Sequence, residues 1–83
     1  MFIESGVTET GVLYHEVVVA NTLYTLFERE SGEVEVWSSR MALGRSNMPT
    51  IRVFADYDAV ARVNKRYAAI VDVITMKADS AVH

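Results

Sequence analysis

The sequence predicts an α+β domain: an antiparallel β-sheet of three to five strands with one C-terminal helix packed on one face. Three observations carry that prediction. Two segments, Leu13–Ala20 and Leu23–Glu28, are rich in β-branched and aromatic residues, which suit a pleated, half-buried surface. From Glu33 to Ser39 the chain alternates, with Val34 and Val36 on one side and Glu33, Glu35 and Trp37 on the other. That is the pattern of a sheet with one solvated face. Val60, Val63, Tyr67, Ile70, Val71 and Ile74 recur at helical spacing and make one apolar stripe.

The elements follow in order. Residues 1–11 are a polar opening bracketed by Gly6 and Gly11, expected to be loosely ordered. Val17, Val18 and Val19 mark the first strand. Asn21 suits a turn or a bulge, so Leu23–Glu28 either pairs with the first strand or continues it. Glu30-Ser31-Gly32 is a short connection in which glycine takes positive φ at low cost. Met41–Pro49 is a loop, and Pro49, lacking an amide donor, marks the beginning of a strand over Thr50–Phe54. Asp56 is a good helix N-cap, and Asp58 puts negative charge near the positive end of the helix dipole. Asp58 and Arg62 form an i,i+4 pair worth ~0.3–0.5 kcal/mol. Arg62, Lys65 and Arg66 fall opposite the apolar stripe, in water. The helix is expected to end between Val71 and Met76, with a terminal strand there as the alternative, and residues 77–83 read as a frayed tail.

Size and composition narrow the function classes. At 83 residues the chain is one small domain, 1–83, and domains of this size bury only about 60–65% of their unfolded surface. It is 51% hydrophobic, too apolar for a disordered chain. It contains no Cys, so no disulfide or thiolate metal site supports the fold. A reducing cytoplasm is the compatible and expected location. No apolar run approaches the roughly 20 residues of a membrane helix, and the first residues lack the basic and apolar regions of a signal peptide.

Charge is segregated along the chain. Residues 1–39 hold seven Glu against Arg29, whereas residues 40–66 hold Arg40, Arg45, Arg52, Arg62, Lys65 and Arg66 against Asp56 and Asp58. The net charge of −3 thus conceals a two-signed chain, a feature that bears on association more than on fold.

Several groups of residues resemble a WGR domain, in which an antiparallel sheet leads through a glycine-containing loop to a strand and a packing helix. Asn21-Thr22-Leu23-Tyr24 is similar to the family's Asn-Lys-x-Tyr strand start. Val36-Trp37-Ser38-Ser39-Arg40 and Gly44-Arg45 follow, and Phe54-Ala55-Asp56-Tyr57-Asp58-Ala59 is similar to the Phe-x-Ser-x-x-Ala start of the family helix. The contiguous Trp-Gly-Arg is absent: Ser38 follows Trp37, and Gly44-Arg45 lies seven residues further on. The resemblance implies a nucleic-acid-binding domain.

Chemistry for catalysis is sparse. Nucleophilic catalysis needs a base and a group that orients it. The only histidines are His15, in a valine-rich strand, and terminal His83. His15 reads as a satisfied structural histidine, and nothing in the sequence brings it to Ser38 or Ser39. Zinc needs three or four N, S or O ligands, and Glu33 and Glu35 read as solvated strand glutamates, so neither metal nor cofactor is expected. Residues 42–47 hold one glycine and no Gly-Lys-Ser/Thr, so a phosphate loop is not expected either.

Recognition is the better-supported class. Trp37 beside Arg40 has the composition of an interface hot spot; the alternative is that the indole folds over the sheet and packs on Tyr14 or Phe27. Arg40, Arg45, Arg52, Arg62, Lys65 and Arg66, if they converge, suit a phosphate or an acidic protein surface. The sequence pI of 5.2 lies far below the value above about 9 typical of nucleic-acid domains. The expectation is therefore a non-enzymatic protein-binding module, an accessory or inhibitor protein of phage- or plasmid-like character. It would dock on a larger machine through Trp37 and the cationic residues. The alternatives are the WGR-like nucleic-acid binder and a homodimer that buries its open sheet face on itself.

Overall fold

The computed structural model describes residues 2–41 and 48–81. Five strands precede two helices: β1 (Phe2–Val7), β2 (Leu13–Val19), β3 (Thr22–Glu28), β4 (Val34–Arg40), β5 (Thr50–Phe54), α1 (Tyr57–Ala61) and α2 (Lys65–Ala81). The strands form one open antiparallel sheet in chain order, each pairing with its predecessor. This is the expected α+β class.

The turns fix the register. Ala20 and Asn21 both have positive φ, 48° and 62°, as a two-residue type I′ hairpin requires. Leu13–Glu28 is therefore two paired strands. The β1–β2 and β3–β4 loops repeat one geometry. Gly11 N–H donates to the Thr8 carbonyl and Thr8 N–H to that of Val12, both at 2.9 Å. Gly32 N–H donates to Arg29 and Arg29 N–H to Glu33, again at 2.9 Å. Gly11 and Gly32 sit at φ +85° and +93°, the left-handed position that closes a three-residue hairpin loop.

Several expectations are corrected. The opening residues are not loose: Phe2–Val7 forms an edge strand paired with β2 from Phe2↔Val18 to Val7↔Leu13. Its alternation is short and interrupted by Gly6, so pairing, not propensity, creates it. The helix is also broken. Asp56 caps α1 as expected, its carboxylate accepting from Ala59 N–H at 2.9 Å, but α1 ends at Ala61. Asn64 starts α2 with a second cap, its side-chain oxygen accepting from Tyr67 N–H at 3.0 Å. Arg62 has therefore left the helix and meets Asp58 through its backbone N–H, not through a side-chain pair. Beyond the break α2 runs to Ala81, past the expected end between Val71 and Met76 and into the expected tail, and no terminal strand forms over Val71–Met76. The Met41–Pro49 loop lies largely outside the described residues.

Residues paired across antiparallel strands share a face. On one face Val17, Tyr24, Leu26, Val34 and Val36 are buried against Val60, Ile70, Val71 and Ile74 of the helices. Ile3, Phe54, Tyr57 and Tyr67 pack around this core. Val63 and Tyr67, placed on the buried stripe by spacing, are only half-buried, because the break rotates them from its centre.

Candidate binding face

The opposite face of the sheet is lined from edge to edge by side chains that the helices do not cover. Register builds it in rows. One row is Gly6, Tyr14, Phe27, Glu35 and Val53; the next is Glu4, Glu16, Thr25, Trp37 and Ile51. A third adds Val18, Leu23 and Ser39.

Its centre is aromatic. Tyr14 and Phe27 have ring centroids 6.2 Å apart, and Phe27 meets Trp37 edge-on at 5.8 Å. Such tilted and edge contacts suit the ring quadrupoles. Trp37 thus packs on Phe27 and remains half-buried, with one edge of the array open. Ile51 and Val53 on β5 extend the apolar surface and are 49% and 48% exposed.

Polar contacts hold the indole in place. Trp37 Nε1 donates to Glu35 Oε1 at 2.5 Å, and Arg29 Nη2 donates to Glu35 Oε2 at 2.7 Å. The Arg29 guanidinium, then the Trp37 N–H, hold the Glu35 carboxyl below the usual carboxylate range; the same pairing raises Arg29. An open pocket of about 320 Å³ lies between the β1–β2 loop and Phe27, Arg29, Glu35 and Trp37.

Of the cationic residues singled out in the sequence, those that are described do not join this face. Trp37 pairs with Ile51, so Arg52 points to the covered side, where its guanidinium lies 4.9 Å from the Phe54 ring centroid. Arg66 Nη1 donates to the Tyr24 hydroxyl at 3.3 Å, tying α2 to the sheet. Arg40 shares the parity of Val34 and Val36 at the end of β4, and Arg62 and Lys65 are exposed around the helix break. Arg45 lies outside the described residues. The expected meeting of Trp37 with the arginines is thus not formed among the described residues. Strand alternation placed Trp37 correctly, but the side of Arg52 depended on a register that sequence did not supply. The alternative in which the indole packs on Tyr14 or Phe27 is met at Phe27; Ile51 and Val53 were missed as members of the face, although their parity with Trp37 becomes readable once the register is placed.

A second polar cluster lies on the covered side. Ser5 Oγ is 2.6 Å from His15 Nδ1, and His15 Nε2 is 3.1 Å from Glu28 Oε2. Tyr57 is half-buried, with its hydroxyl oxygen buried beside Glu28: burial first, then that carboxylate, push its phenol well above the usual range. Its oxygen nevertheless lacks a hydrogen bond of ordinary geometry among the described residues. Hydroxyl, imidazole and carboxylate stand in the order of an acyl-transfer relay, but each lies on a different strand and His15 is only 9% exposed. Both ring nitrogens are engaged, which is what a buried histidine needs, and the chain ties β1, β2 and β3 together.

Among the described residues no group of three or more His, Asp or Glu side chains is placed to hold a metal, and no helix is long and apolar enough to cross a membrane. No family model, no curated protein and no solved structure matches this chain.

Proposed function

We propose that this chain is a non-enzymatic protein-binding module that docks on a larger partner through the open face of its sheet. The observation that carries the reading is the continuous apolar surface of Tyr14, Leu23, Phe27, Trp37, Ile51 and Val53 on the side away from both helices. Contiguous apolar patches on small proteins mark interaction sites, and a Trp held by a hydrogen bond among other rings is a typical hot spot. Occupying a partner's surface in this way would suit an accessory or inhibitory role.

Affinity capture from a bacterial lysate tests the proposal. Wild type is compared with Val53→Glu and Trp37→Ala on the open face and with Lys65→Glu on the helical side, each checked for folding by circular dichroism. The open-face variants are expected to lose the captured partner and Lys65→Glu to retain it. The reverse pattern would move the interface to the helices and overturn the proposal.

A further inference from the structure

Resting on that reading of the open face, we infer that its occupant is an amphipathic helix of another protein, basic along the flank that lies over β1 and β2 and apolar along the flank over β5.

The first argument concerns the backbone. Within the sheet, strands β2, β3 and β4 are paired on both sides, so the ladder consumes their N–H and C=O groups. The face offers side chains alone. A segment laid across it must bring its own satisfied backbone, as a helix does. The other side of the same sheet already carries α2, a helix of 17 residues, so its width and twist accept such an element.

The second argument is electrostatic. Glu4 and Glu16 stand directly opposite one another on the open face, a like-charge pair that destabilises a sheet when uncompensated. Neither has an ion-pair partner among the described residues. Glu35 differs, because Arg29 already neutralises it. Among the described residues, uncompensated charge on this face is therefore confined to the β1–β2 flank, while Ile51 and Val53 make the β5 flank apolar. Two strand spacings, about 10 Å, separate Glu16 from Trp37. That matches the roughly 10–12 Å width of a helix with its side chains. A helix seated on Phe27 and Trp37 would thus hold its Lys or Arg side chains over Glu4 and Glu16.

A second copy of this chain is disfavoured as the occupant of the same face. Face-to-face pairing brings two sets of Glu4 and Glu16 together, and Arg29, the cation described there, is committed to Glu35 and Glu33.

The test is selection from a display library of helical peptides that share a fixed apolar stripe and carry randomised residues on both flanks. The chain and its Glu4→Lys, Glu16→Lys double variant are panned in parallel. Trp37, the only tryptophan, reports binding of the selected peptides by fluorescence. Wild type is expected to select Lys and Arg on one flank only. The double variant is expected to select Asp and Glu there and to bind the wild-type peptides at least ten-fold more weakly. Peptides that bind and perturb Trp37 without charge bias would overturn the basic partner while leaving the docking face standing. Failure to select any peptide that perturbs Trp37 would overturn both. Light scattering that shows a dimer dissociated by Val53→Glu would replace the foreign helix with a second copy.

Discussion

The two faces of this sheet are both apolar, yet only one is a core. On β3 the contrast lies within four residues: Leu26 is fully buried under the helices, whereas Leu23 faces the other way and is half-buried. Val17 and Val18 repeat it on β2. Composition does not separate the faces, because apolar atoms make up much of any protein surface. The cover does, together with the polar groups at the margin. The covered face has a part-buried Ser5–His15–Glu28 bridge, whereas the open face has Glu4 and Glu16, without an ion-pair partner among the described residues, and an indole tied by one hydrogen bond.

The largest expected effect tests that contrast directly. Leu26→Ala should cost about 2–5 kcal/mol, the range for truncating a buried leucine. Leu23→Ala, on the same strand, should cost about 1 kcal/mol or less. Urea unfolding of the two variants reads the difference. Equal losses would mean that the open face is as much a core as the covered one.

The cover itself comes next. Asp56→Ala and Asn64→Ala each remove a side-chain acceptor from a helix start and should each cost about 1 kcal/mol. Asn64→Ala should also loosen α2 against Tyr24, raising amide exchange in the first turn of α2 while leaving the β3–β4 hairpin protected. A uniform rise across the sheet would show that helices and sheet open as one unit.

How much of this was legible in the sequence follows the same division. Alternation at Val34–Trp37 and the Val60–Ile74 stripe revealed the covered face, since burial selects apolar residues at a fixed period. The helix break at Arg62–Asn64 escaped because the stripe continues through it, and its only local signal is Asn64 as a cap. β1 escaped because an edge strand with Gly6 needs little intrinsic preference once β2 offers it a template. The open face was half legible. Trp37 was placed, but the company it keeps depended on register, and register depended on the positive φ of Ala20, Asn21, Gly11 and Gly32.

Tyr57→Phe examines the margin of the covered face. The hydroxyl oxygen is buried beside Glu28 without a hydrogen bond of ordinary geometry among the described residues. Removing an unsatisfied buried polar atom spares its desolvation cost. The variant should therefore be as stable as wild type or more stable, by up to about 1 kcal/mol. Clear destabilisation in urea would mean that the hydroxyl has a partner, with Glu28 or water between.

The smallest expected effect lies on the open face, at Glu35, and it is read through pH. Arg29, then Trp37, depress the Glu35 carboxyl in the folded chain relative to the unfolded one. A depressed folded-state value means that the unfolded chain takes up the proton first as pH falls. The stabilisation is therefore complete above the unfolded value, about pH 4.3 for a glutamate. It disappears as pH falls through the lower folded value. Glu35→Gln removes this titration and keeps the shape of the side chain. Between about pH 5 and about pH 3, wild type should lose more stability than the variant, with every other carboxylate common to both. The side chain is 22% exposed, so added salt should shrink the difference. Parallel acid limbs for the two proteins would show that Trp37 is held by packing on Phe27 alone. The ionised carboxylate would then contribute nothing to ordering the indole.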